Sequence, residues 1–201
     1  MREVIFASLV AASLPAVAQQ RAGWFRDERA GVSFRYPSGW TLAKQQPFQF
    51  PLLASEPGEL PRALVFTRTI EGIAPWPGTE LGGVAFGYDL RRAASAEECR
   101  ELALPKPKRA AGHGKVTLRG VGYWHSTAGD GGMSQYLAED LYTTYRDASN
   151  SCLLFDFGTF TITAAGAVPP RALNAGERAI LHRTEMNLLA SIRAGTPVSV
   201  K

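Results

Sequence analysis

The chain is poor in the residues that most often carry chemistry. It has three histidines, two cysteines and three methionines among 201 residues. His113, His125 and His182 stand far apart, with no His-x-His or His-x-x-x-His, so no compact metal motif is spelled out. His182 reads as a surface or packed residue. No glycine-rich phosphate cradle appears, because Gly129–Gly132 lacks the lysine and helix of a P-loop. No nucleophile elbow appears either: Gly132, Ser134 and Tyr136 lack the closing glycine, and the segment leads into a strand. Glu139 and Asp140 are neighbours on that strand, so they point to opposite faces and make a poor acid/base pair. There are no internal repeats. A composition 45% hydrophobic and 20% charged excludes a disordered chain. The expectation is a non-enzymatic protein with no catalytic residues, no metal and no cofactor.

Long apolar runs are also missing. The longest, Ile5 to Val17, is broken by Ser8, Ser13 and Pro15 and is too short for a comfortable membrane span. It follows a short head with one positive charge, Arg2, and leads to Ala16–Val17–Ala18 and then Gln19–Gln20. That is the layout of a cleaved secretory signal. No cysteine stands at the cleavage site to take a lipid anchor. The expected organisation is residues 1–18 as signal, 19–195 as one α+β domain and 196–201 as a tail. The mature protein is expected to be periplasmic or secreted, with no transmembrane segment. The net charge of +4 survives cleavage, because the signal carries one Arg and one Glu. It is compatible with an anionic partner, or simply with solubility.

Cys99 and Cys152 both fall in the exported part. An isolated pair in an oxidising compartment tends to be joined. Two free buried thiols are the alternative, and no C-x-x-C spacing supports a redox or metal pair. A bond across this loop is worth roughly 4 kcal/mol in the chain-entropy model.

Alternation of apolar and polar residues predicts strands at Val32–Tyr36, Arg62–Ile70, Val84–Leu90, Val116–Thr127, Met133–Tyr145 and Cys152–Ile162. Pro37–Gly39 reads as a turn, with Trp40 opening the returning strand. In the Val116–Thr127 strand the apolar phase slips by one residue at Gly120, which reads as a bulge. Ala128–Gly132 reads as a turn. Leu153, Phe155 and Phe157 face one way, and Leu154, Phe160 and Ile162 the other, so the last strand is central and covered on both sides. Ser95 and Glu98 form a capping box before a helix to about Leu104. Asn174 and Glu177 repeat that logic before a helix to about Ala194. Its expected stripe is Ile180, Leu181, Leu188, Leu189 and Ile192, with Gly195 as the cap. The late strands form an antiparallel meander with the last helix lying across it.

Two segments are candidates for contact with a partner. One is the basic loop holding Lys106, Lys108, Arg109, His113 and Lys115, which would grip an anionic surface or serve as a solvated linker. The other is Pro75–Trp76–Pro77, a stiffened tryptophan that either meets a partner or folds back over the core. Trp40 and Trp124 lie in strands and are expected in the core. The partner is an unidentified protein or envelope component; nothing suggests nucleic acid. A small-ligand carrier, with a pocket between sheet and loops, is the alternative function, and an enzyme of unrecognised type is a third.

Three stretches together resemble a known group. They are Gly31 to Trp40, Lys115 to Tyr123, and the Tyr142–Asp147 strand with its turn to Cys152 and the closing helix ending at Leu189–Arg193. Their order resembles the PsbP-like exported domains, whose namesake is an extrinsic subunit of photosystem II. The resemblance implies a central antiparallel sheet with helices on both faces, an α/β/α sandwich. It also implies a binding or assembly role in the cell envelope. It transfers no functional residue, because the group shares no catalytic motif.

Overall fold

The structure is a computed structural model that describes residues 22–43, 62–67, 76, 78–102, 112–132, 135–162 and 170–195. The signal segment, the C-terminal tail, the Pro-rich stretch at 45–61 and the basic residues Lys106, Lys108 and Arg109 lie outside the described residues. So do Pro75, Pro77 and Ser134. No described helix is long and apolar enough to cross a membrane.

The fold is a sheet-dominated α+β arrangement. The strands are β1 (Gly23–Asp27), β2 (Val32–Tyr36), β3 (Thr41–Leu42), β4 (Ala63–Thr67) and β5 (Leu81–Arg92), then β6 (Gly112–Leu118), β7 (Val121–Gly132), β8 (Gln135–Arg146), β9 (Ser151–Ile162) and β10 (Arg193–Ala194). The helices are α1 (Ala96–Leu102) and α2 (Ala175–Ser191). Seven strands form one antiparallel sheet in the order β3-β4-β5-β9-β8-β7-β6. Strands β1, β2 and β10 form a small second antiparallel sheet.

The expected central strand is β9, between β5 and β8. On one face Leu153, Phe155 and Phe157 join Val84, Phe86 and Tyr88 of β5 in the main core. The rings interlock: Phe155 stacks on Tyr88 at 5.4 Å and on Phe86 at 6.1 Å, and Phe34 of the small sheet meets Phe86 edge-on at 5.1 Å. Each such buried side chain is worth about 1.5–3 kcal/mol. Helix α2 closes this face with Leu181, Leu188 and Leu189. On the opposite face Cys152 and Leu154 pack with Leu141 and Cys99, beneath α1. The helices therefore lie on opposite faces of the large sheet.

Arg146 ties the two sheets together. Its guanidinium donates to the Ala30 carbonyl at 2.6 Å and to the Gly195 carbonyl at 2.7 Å. Burial pulls its pKa below the ordinary arginine value.

Four expectations need correction. The slip at Gly120 is not a bulge. It is a hairpin turn, with β6 and β7 paired from Leu118↔Val121 outward. Arg119 and Gly120 both have positive φ, 51° and 80°, as a tight two-residue hairpin requires. Second, Ala128–Gly132 is not a turn, because β7 runs through Gly132, which pairs with Gln135. Third, α2 ends at Ser191, and its cap is Ile192 in extended conformation. Gly195 instead donates its amide to the Gly31 carbonyl at 2.8 Å. Fourth, Ile180 is 37% exposed, and Glu185 takes a buried position on the stripe beside Leu181 and Leu188. The Asn174–Glu177 capping box is present in both directions, with bonds of 2.9 Å. At α1, Ser95 accepts from the Glu98 amide as expected, but the Glu98 carboxylate reaches the Ala94 amide.

Candidate functional site

Strand alternation places Phe25 inward and Trp24 and Arg26 outward on β1. Phe25 packs on Phe34 at 5.1 Å, which fixes the strand's face. Arg35 on β2 stands directly opposite Trp24, and Arg193 on β10 stands opposite Ser33. The consequence is an exposed cluster on the small sheet. Trp24 is 44% exposed. The guanidinium groups of Arg26, Arg35 and Arg193 lie 6.0, 5.8 and 5.7 Å from its ring. Among the described residues none of these three arginines is in an ion pair with a carboxylate. The base of the patch is rigid, because Ser191 Oγ accepts from the Arg35 amide at 2.9 Å and so pins β2 to α2. A planar aromatic ringed by three forked donors suits an acidic surface with some apolar character.

A groove of about 380 Å³ lies on the other side of the molecule. Helix α1 forms one wall through Ala96, Glu97, Cys99 and Arg100. Strands β6, β7 and β8 form the floor, with Lys115, Trp124 and Thr143 in one cross-strand row. Arg100 sits 5.3 Å over the Trp124 ring and bonds Glu97 and Glu101. Trp124 is therefore not a core residue as expected; it lines the groove. The disulfide Cys99–Cys152, with Cα atoms 5.3 Å apart, fastens the helical wall to β9. A joined pair of this kind fits a compartment outside the reducing cytoplasm.

A third cluster of ionisable groups lies on the α2 face, at β7 and β8. His125 Nε2 is 2.7 Å from Asp140 Oδ1, and its ring stacks on Tyr142 at 4.5 Å. Tyr142 donates to Glu185 at 2.7 Å, and His182 lies 3.2 Å from the other oxygen of that carboxylate. Burial raises the Glu185 pKa above the ordinary carboxylate value, against the Tyr142 hydrogen bond that lowers it. Burial and the adjacent Glu185 together push the Tyr142 phenol far above its usual range. Among the described residues no three His, Cys, Asp or Glu side chains converge as metal ligands. The Asp140 carboxylate orients the His125 imidazole. Its place between sheet and helix makes it a polar clamp.

Of the sequence-stated contact residues, Trp76 is 6% exposed and belongs to the main core. Its carbonyl accepts from the Thr79 amide and hydroxyl, and the Trp76 ring packs in the core. His113 is exposed on β6, and its ring lies 5.9 Å from Trp124. Neither Trp24 with its arginines nor the row Lys115–Trp124–Thr143 stands out as a site in the sequence. Alternation along Trp24–Phe25–Arg26 was the available signal for the first. For the second there was none until the hairpin at Gly120 was recognised.

No family model matches the chain, and no characterised protein sequence matches it. Solved structures similar in part include the following two. One, a protein of Bacteroides thetaiotaomicron VPI-5482, shares 14% identity over 86% of this chain, with a TM-score of 0.43. This chain spans about half of that protein, 48% of its length. The other is LpqN, a protein involved in cell envelope biogenesis of Mycobacterium tuberculosis, with 10% identity, 80% of this chain and 81% of that one covered, and a TM-score of 0.44.

Proposed function

We propose that this is an exported, non-catalytic binding protein of the cell envelope, which docks an acidic segment of a partner protein on the small sheet. The observation that carries the reading is the exposed Trp24 flanked by three arginines without carboxylate partners. Tryptophan and arginine are the residues most enriched in protein–protein hot spots. A strand-borne cluster on a sheet pinned to α2 needs little ordering on binding, which favours affinity. The signal-like N-terminus and the disulfide support export, and the order of strands and helices, with one helix on each face, supports the PsbP-like sandwich.

The test uses the mature chain and a fluorescent glutamate-rich peptide. Binding should be saturable, weaken as salt rises, and fall at least about tenfold in Arg26→Glu/Arg35→Glu/Arg193→Glu, where like charges now face the peptide. Trp24→Ala should weaken it without lowering the melting temperature. Binding to phosphatidylglycerol vesicles but not to the peptide would replace the partner protein with a membrane surface. Unchanged peptide affinity in the triple variant would overturn the site.

A further inference from the structure

The groove beneath α1 carries two polar atoms with nothing to bond. Thr143 is 2% exposed, and its Oγ1 has no hydrogen-bond partner; the neighbouring Trp124 Nε1 has none either. Buried polar groups in folded proteins are nearly always satisfied, and a bare one costs on the order of 1–3 kcal/mol. Two adjacent exceptions on one groove floor therefore call for a ligand. We propose that this groove binds a small carboxylate with an apolar body, at a site independent of the Trp24 surface.

The chemistry of the lining selects that class. The indole N–H only donates, and the threonine hydroxyl donates or accepts. Lys115, directly opposite Trp124 on β6, brings an ammonium group with no ion pair among the described residues. Arg100 is already compensated by Glu97 and Glu101. What remains is one uncompensated positive charge in a groove whose floor holds two orphan polar atoms, a lining that a carboxylate complements. The rest of the floor is flat and has room: a Cβ built at Gly122 would meet nothing within 4 Å. The Trp124 ring, Tyr145 and the disulfide-held Cys99 offer apolar contact to the body of such a molecule. The bond between Cys99 and Cys152 keeps the helical wall in place before the ligand arrives, which reduces the ordering required on binding.

Naphthoate and its uncharged analogue naphthalenemethanol are suitable probes, measured by titration calorimetry on the full mature protein. Naphthoate should bind at one site and at least about tenfold more tightly than the alcohol. Lys115→Gln, Trp124→Phe and Thr143→Val should each weaken naphthoate, while the Glu-rich peptide still binds the Trp24 surface. Thr143→Val should also leave the unliganded protein no less stable, because it removes an unsatisfied hydroxyl at constant shape. Equal affinity for acid and alcohol would overturn the ligand class. No binding by either, or naphthoate binding unaltered in all three variants, would overturn the site.

Discussion

The two faces of the large sheet are built by opposite means. Beneath α2 the face is filled by interlocking rings, with Glu185 bonded by Tyr142 and Asp140 by His125, and its unsatisfied polar atoms, Trp40 Nε1 and Tyr88 Oη, sit inside the packed core rather than on a groove. Beneath α1 the described core is a small cluster around a disulfide, beside a groove with two unsatisfied polar atoms. The first face holds its helix by apolar burial together with the hydrogen bonds at Ser191 and Glu185. The second presents a seven-residue helix, too short to be stable by itself, and holds it with a covalent bond. The difference teaches where a fold leaves room for a ligand: at the place fastened by a cross-link rather than filled by side chains.

The comparison breaks most visibly if the bond is removed. Cys99→Ala/Cys152→Ala opens a link with a sequence separation of 53. The expected loss is about 4 kcal/mol, read from denaturant midpoints. Either single change should cost a similar amount, since each breaks the same bond. A loss below about 1 kcal/mol would mean that α1 is held by packing and that the two faces are built alike.

Truncating the sealed face is the matching test. Leu188 is almost fully buried under α2, and Leu188→Ala should cost roughly 2–5 kcal/mol as a core cavity. Ile180→Ala, on the exposed side of the same helix, should cost far less. Equal losses at the two positions would show that the stripe is misplaced.

This stripe also measures what could be read without coordinates. Period-two alternation located β2, β5 and β9, because each buries large side chains on at least one face and the pattern is strong. The caps Asn174–Glu177 and Ser95–Glu98 were legible because a cap is a local hydrogen bond between residues three apart. The hairpin at Arg119–Gly120 was missed, because a one-residue phase slip is common to a bulge and to a tight turn, and only the second residue is glycine. Ile180 falls outside the stripe and Glu185 within it, because hydrophobicity alone cannot foresee that Tyr142, forty-three positions earlier in sequence, supplies a bond to a buried carboxylate. The Trp24 cluster and the groove row were hidden for the same reason: they are assembled from separate strands.

The polar clamp should show its own pH signature. Glu185 is held above its ordinary carboxylate pKa, so the folded state keeps the proton longer than the unfolded chain. Its contribution is most favourable below about 4.5 and is lost as pH rises through the folded value. Tyr142→Phe removes the donor that favours the charged form and should cost about 1–3 kcal/mol at neutral pH. The loss should shrink in acid, where a protonated Glu185 carries no buried charge. A loss independent of pH would assign the effect to packing.

The smallest expected effect lies at the start of α2 and has the opposite sign. Asn174 accepts from the Glu177 amide, and the Glu177 carboxylate returns to the Asn174 amide while gripping Arg171 at 2.6 Å and 2.8 Å. The Arg171 hydrogen bonds, followed by the backbone bond, pull the Glu177 pKa down to about 2. Its contribution is fully present above about 4.5 and is lost as pH falls toward that value. Asn174→Ala should cost about 1 kcal/mol, as N-cap deletions do. Glu177→Gln should flatten the fall of stability between pH 5 and about 2, measured by thermal melts across that range. Acid should therefore relieve one carboxylate of α2 and undo the other. If Tyr142→Phe and Glu177→Gln instead move the pH profile in the same direction, the clamp and the cap are not electrostatically distinct, and the contrast between the two carboxylates of α2, one held above and one below its ordinary pKa, fails.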